Sequence, residues 1–117
     1  MKKVLLVESH EALLDAMETL LNLKGFSSMI TGKYENIIPL VLSDKPDIII
    51  MDTSLQNEDG RLICRRIKEH PAVNDICVIL SSASSKNLKD YRYYKADGIL
   101  KKPFEIHEFM DILSLAN

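Results

Sequence analysis

Apolar and polar positions along this chain follow two alternating periods. Short continuous apolar runs at 3–7 (KVLLV), 47–51 (DIIIM) and 76–80 (ICVIL) read as strands buried on both faces. A weaker run at 26–30 and a short one at 98–101 read as further strands. Between the runs, apolar residues are mostly spaced by three and four. Leu13, Leu14, Met17, Leu20, Leu21 and Leu23 predict a helix over 10–24, ended by Gly25 as a left-handed cap. Leu62, Ile63, Arg66 and Ile67 share one broad face of a helix over 59–70, which Pro71 stops. Ile106, Phe109, Met110 and Leu113 face inward from a last helix over 105–116. A polar helix carrying tyrosines is expected over 85–95. Pro39 interrupts the helical pattern before Asp44, which predicts a short helix starting near it or a kinked one.

Five strands, each followed by a helix, predict an α/β fold: a doubly wound parallel sheet with helices on both faces. The first, third and fourth strands are the most apolar and belong at its centre. The second and fifth suit its edges. With no repeat, low-complexity tract or linker, residues 1–117 are expected to form one domain.

Composition narrows the function. The chain is 46% apolar and 27% charged, as expected for a globular protein with a core. A net charge of -2 supplies no electrostatic reason to expect nucleic acid or an anionic membrane as partner. No apolar run approaches the roughly 20 residues of a membrane span. Lys2 and Lys3 precede an apolar stretch too short for a signal peptide, and no small-residue cleavage site follows. Cys64 and Cys77 could pair on count alone, but two buried free thiols in a reducing cytoplasm is the stronger reading. Without a C-x-x-C pair, a zinc site is not expected.

Ligands of an open parallel sheet sit at the carboxyl ends of its strands, where the chain order reverses. The first strand ends at Glu8-Ser9, the third at Asp52, the fourth at Ser81-Ser82 and the fifth at Lys101-Lys102. Carboxylates, hydroxyls and a lysine thus converge on one rim. Carboxylate oxygens suit a hard cation such as magnesium, lysine suits phosphate, and an aspartate can itself become phosphorylated. Each residue also has a plainer reading. Asp52 could cap a turn, Glu8 could be an exposed residue entering a helix, and Lys102 could be a solvated charge. Ser9 reads as a helix N-cap and His10 as an exposed first-turn residue. Tyr91, Tyr93 and Tyr94 with Arg92 read equally as half-buried packing or as a partner surface.

Glu8-Ser9, Asp52 with the loop to Asp59-Gly60, Ser82-Ala83 and Lys102-Pro103-Phe104 occur in this order on the expected strand ends. In these elements the whole chain resembles the receiver domain of bacterial two-component response regulators. The resemblance implies the CheY-like, flavodoxin-like strand order 2-1-3-4-5. It makes Asp52 the phosphoacceptor, taking a phosphoryl group from a histidine kinase or a histidine phosphotransfer protein. It assigns magnesium to Glu8, Asp52 and the backbone carbonyl of Ser54. Ser82 and Lys102 would bind the phosphoryl group, with the often-cis Lys102-Pro103 bond aiming the lysine. Gly60 would supply loop conformation. Side chains at Ser54 and Ser84 would tune dephosphorylation. The downstream partner would dock on the side of strands four and five and the last helix. Such a domain is a cytoplasmic signalling module rather than an enzyme.

Three departures from the family pattern change the expectation. Ser9 stands where a second acid is usual, so magnesium binding should be weak. Ile99 replaces the aromatic switch residue, which alters or removes its coupling to Ser82. Gln56 replaces a proline, so the loop should be less rigid. A competing reading is therefore a degenerate receiver that binds partners without phosphorylation. An aspartyl-phosphate phosphatase is disfavoured, because Asp52-Thr53-Ser54 lacks the second acid such enzymes place two residues on. A dinucleotide-binding protein is weaker still, since no G-x-G-x-x-G follows the first strand.

Overall fold

The structure, a computed structural model, describes residues 2–116. Met1 and Asn117, the ends of the expected unit, lie outside the described residues. Five strands form one parallel sheet: β1 (Lys3–Val7), β2 (Ser27–Thr31), β3 (Ile48–Asp52), β4 (Cys77–Ser82) and β5 (Gly98–Lys101). Their spatial order is β2-β1-β3-β4-β5, as expected, with the most apolar strands in the middle. The register sets Val7 opposite Met51 on one side of β3 and Asp52 opposite Ser81 on the other. Asp52 is thus the last paired residue of β3, not the first loop residue after it. The β2 strand likewise runs one residue later than the sequence pattern suggests, ending at Thr31.

Side chains alternate across a strand, and here both faces are covered. Leu5, Val7, Ile49, Met51, Val78 and Leu80 point to one face. There they meet Ile37 and Val41 of α2 (Ile37–Asp44), Cys64 and Ile67 of α3 (Gly60–Glu69) and Leu88 of α4 (Ser85–Lys89). Val4, Leu6, Ile48, Ile50 and Ile79 point to the other. They pack on Met17 and Leu21 of α1 (Glu11–Leu23) and on Phe109 and Leu113 of α5 (Ile106–Leu113). Ile48 to Met51 are all buried, and each such side chain contributes roughly 2 kcal/mol by leaving water.

Gly25 has φ 82°, the left-handed value expected of it. Phe26 N–H donates to the Leu21 carbonyl and Gly25 N–H to that of Asn22, closing the end of α1. Pro39 sits near the start of a short helix, as expected. It is the third residue of α2, within the first turn, where backbone N–H groups have no intrahelical acceptor to lose. A 3-10 turn, Tyr34–Asn36, leads into that helix.

The helix expected over 85–95 is much shorter. After α4 the chain turns, with Lys95 at φ 65° and Ala96 N–H bonded to the Tyr91 carbonyl. Contacts with α3 account for the turn. The Arg65 guanidinium lies 4.1 Å over the Tyr93 ring and 5.2 Å over that of Tyr94, and Arg61 lies 5.1 Å over Tyr94. Cation–ring stacking on a neighbouring helix outweighs the weak helical preference of this polar segment. Tyr91 packs against the core, as the packing reading expects, while Tyr93 is exposed.

Cys64 belongs to the core on one face of the sheet and Cys77 to the core on the other, so the sheet separates them. Burial pushes the Cys64 thiol up to about 12 and the Cys77 thiol up to about 11. Since the thiolate is the reacting form, a thiol reagent at pH 8 should label neither cysteine in the folded protein. It should label both in denaturant, and the chain should migrate identically with and without reductant.

Candidate functional site

The rim at the carboxyl ends of β1, β3, β4 and β5 gathers the residues that the sequence points to. Glu8 follows β1 and is only 5% exposed. Its Oε2 accepts from the backbone N–H groups of Ser9 and His10, each at 3.1 Å. Its Oε1 is ion-paired with Lys102 Nζ. The same ammonium lies 3.2 Å from Asp52 Oδ2, so one lysine bridges two carboxylates. Asp52 Oδ1 accepts from the Ser54 backbone N–H at 2.9 Å. All three side chains are largely shielded from water, where charge pairing is stronger than at the surface.

Lys102 is placed by the sheet. Its backbone N–H donates to the Ser82 carbonyl at 2.9 Å, and the peptide to Pro103 is cis. Ser82 is buried, and its hydroxyl accepts from the Ser84 N–H at 3.0 Å. That leaves the Ser82 O–H free to donate toward the rim. Ser84 serves as the N-cap of α4, accepting from the Asn87 N–H. Ile99 lies on β5 with its side chain partly exposed, between buried Gly98 and Leu100.

The N-cap of α1 is His10 rather than Ser9. The helix begins one residue later than the serine could cap, and His10 Nδ1 accepts from the Leu13 N–H at 3.2 Å. Ser9 is exposed and offers only its backbone N–H to Glu8.

The loop after Asp52 is a small antiparallel hairpin in which Ser54 and Leu55 pair with Asp59 and Glu58. Its two turn residues, Gln56 and Asn57, have φ of 52° and 61°. Positive φ at both positions is the hairpin turn that matches strand twist. Proline, locked near -65°, is incompatible with position 56 in this shape. The loop is therefore folded as a paired hairpin whose turn is closed to proline.

Gly60 also differs from expectation, since it opens α3 and contributes space rather than loop conformation. A Cβ there would lie 2.4 Å from the Asp52 carbonyl oxygen and 2.8 Å from the Tyr34 hydroxyl. Beside it, Asp59 caps α3, accepting from the Arg61 N–H at 3.0 Å and pairing with the Arg61 guanidinium at 2.9 Å.

Two contacts at the site had no signal in the sequence pattern. The Tyr34 hydroxyl donates to the Asp52 carbonyl at 2.7 Å, and Asn87 Nδ2 donates to Thr53 Oγ1 at 3.4 Å. Neither residue is near position 52 in the chain. The one clue to Tyr34 is chemical, since a buried tyrosine needs a partner for its O–H.

Fold and rim together define a class: a doubly wound α/β protein with paired carboxylates, a hydroxyl and a lysine at its switch point. Residues 4–114 match the response regulator receiver domain, and the chain belongs to that family, the receiver domains of two-component systems. It is 31% identical over 108 residues to the response regulator ArlR of Staphylococcus haemolyticus, covering 92% of this chain and 49% of that protein. The chain spans about half the length of the curated relatives it matches. A putative response regulator from Chloroflexus aurantiacus superimposes with a TM-score of 0.89 at 22% identity, covering 99% of this chain and 98% of that one. The receiver domain of the sensor histidine kinase PA1611 from Pseudomonas aeruginosa has a TM-score of 0.85 at 22% identity, covering 97% and 94%. That domain has a magnesium ion coordinated in its active-site cleft. These two structural likenesses concern the fold.

The hydrogen bonds from Arg61 hold the Asp59 carboxyl below its ordinary value of 3.8. A carboxyl lowered in the folded state contributes stability above its unfolded value and loses it as pH falls through the folded one. Removing the cap by Asp59→Ala should cost about 1 kcal/mol at pH 7. Thermal melts should show the gap between wild type and variant narrowing as pH falls below about 4.

Proposed function

We propose that the chain is a phosphoacceptor receiver in which Asp52 takes a phosphoryl group from a phosphohistidine of a histidine kinase or phosphotransfer protein. The observation that carries this reading is the Lys102 ammonium between Asp52 and Glu8, at the strand ends where an α/β fold binds ligands. In the transfer, an Asp52 carboxylate oxygen bonds to phosphorus as the phosphorus–nitrogen bond of the donor breaks. The electron pair leaves with the imidazole nitrogen, which takes a proton. Lys102 then follows the charge from the carboxylate to the new phosphoryl oxygens, and the Ser82 O–H donates to one of them. The change in charge shifts the equilibrium of the β4–β5 side, and a downstream partner there responds.

The donor set fits magnesium, though sparsely. Two carboxylates and a loop carbonyl suit an ion that keeps several of its waters. Among the described residues, no group of three or more His, Cys, Asp or Glu side chains is arranged to hold a metal. Glu8, Asp52 and the Ser54 carbonyl would hold the ion. When bound, it supplies positive charge to the phosphoryl oxygens. With Ser9 in place of a second acid, and Lys102 already between the carboxylates, binding is weak. The same features favour the second reading, a receiver that binds partners without phosphorylation, and the exposed Ile99 adds to it.

Incubation with magnesium and a small phosphodonor, followed by intact mass measurement, separates the two. The acceptor reading expects a gain of one phosphoryl that is lost in Asp52→Asn. No gain at high magnesium, with a cognate kinase also failing, leaves the interaction module. Ser9→Asp should tighten magnesium by roughly tenfold, because it restores one negative charge next to Glu8. Unchanged affinity in a calorimetric titration would sink the account of the weakened metal site.

A further inference from the structure

Tyr34 is among the most buried polar side chains of the molecule, at 2% exposure, yet the transfer chemistry makes no use of it. Its hydroxyl donates to the backbone carbonyl of Asp52. That carbonyl lies past Met51, the last residue of β3 to pair with β1, so β1 does not extend far enough to satisfy it. Buried backbone acceptors require a donor, and here a side chain from another element supplies it. Burial, helped by the Asp52 charge, pushes the Tyr34 phenol well above its usual range, so the donor keeps its proton.

The turn that carries Tyr34 also reaches the other carboxylate. The Thr31 carbonyl, at the start of that turn, accepts from the Glu8 backbone N–H at 3.1 Å. Thr31 Oγ1 braces the turn internally by accepting from Lys33 N–H and Asn36 Nδ2, at 3.2 and 3.4 Å. One braced segment, 31–36, therefore grips the backbone of Glu8 at one end and that of Asp52 at the other. The gap between these carboxylates is where the Lys102 ammonium sits. Gly60 confirms how closely the second grip is fitted, since any side chain there would strike both the Asp52 carbonyl oxygen and the Tyr34 hydroxyl.

We propose that Tyr34 is a positioning residue of the acceptor site. By holding the Asp52 carbonyl from a turn that also holds Glu8, it sets the spacing of the two carboxylates and hence the seat of Lys102. The effect on phosphoryl transfer rests on the acceptor reading of Asp52, whereas the effect on Lys102 does not.

The test compares wild type, Tyr34→Phe and, as a control, Tyr93→Phe at an exposed ring. Two readouts are taken: the NMR signal of the Lys102 ammonium, and the rate of phosphorylation by a small phosphodonor. Tyr34→Phe should move the Lys102 signal toward that of a free lysine and slow phosphorylation roughly tenfold, the scale of a buried carbonyl that loses its donor. Tyr93→Phe should change neither. A Tyr34→Phe protein that is folded but matches wild type in the Lys102 signal overturns the proposal. If wild type is not phosphorylated at all, the acceptor reading fails alone, and the Lys102 signal still decides for or against Tyr34. Should Tyr34→Phe not fold, Gly60→Ala disturbs the same carbonyl with the hydroxyl retained. A Lys102 signal that moves there supports the proposal, and one that does not move overturns it.

Discussion

A single ammonium group organises the functional end of this molecule. Glu8 and Asp52 end adjacent parallel strands, so the sheet brings two negative charges together in a site with little access to water. Like charges in such a place repel strongly unless a cation lies between them. Lys102 supplies it, from a third strand end tied to β4 through the Ser82 carbonyl. The lysine thus offsets one of the two negative charges and leaves the site with a net charge of about -1. A phosphoryl group would change that balance by adding charge on the Asp52 side, which gives the fold a reason to respond to modification.

Everything around the lysine keeps the two carboxylates at a fixed spacing. The central strands are buried on both faces and cannot slip without moving a whole set of apolar side chains into water. Glu8 is held by the Ser9 and His10 amides, and Asp52 by the Ser54 amide. Beyond the last sheet pairing, the 31–36 turn continues the frame with hydrogen bonds instead of strand contacts. The α3 helix closes the base, and only a residue without a side chain can stand where Gly60 approaches Asp52.

This receiver differs from its family pattern in ways that hang together physically. Ser9 stands where the family pattern has a second acid, so the rim carries one negative charge fewer beside the Lys102 bridge. Gln56 and Asn57 adopt a turn closed to proline, which folds the loop as a hairpin ending at the Asp59 cap. Ile99 leaves β5 with an aliphatic, partly exposed side chain in place of a ring. The α4 segment is short, and the tyrosines after it are gripped by arginines of α3. Asn87 links that helix to Thr53, the residue after Asp52, so a contact with α4 starts directly beside Asp52.

The sequence alone determined the strands, their order of burial and the four rim residues Glu8, Asp52, Ser82 and Lys102. These are legible because apolar runs and strand-end positions are local patterns, and because a parallel sheet always gathers its carboxyl ends on one rim. What only the tertiary structure decided are contacts between residues far apart in the chain. Lys102 reaches Glu8 across 94 positions, and Tyr34 reaches Asp52 across 18. No spacing rule encodes such pairs. Some of the local misreadings share this cause. His10 displaced Ser9 as cap, Gly60 was needed for space rather than for its φ, and α4 stopped at Lys89. For Gly60 and α4 the choice was made by what packs against them, and only the folded chain brings those partners together.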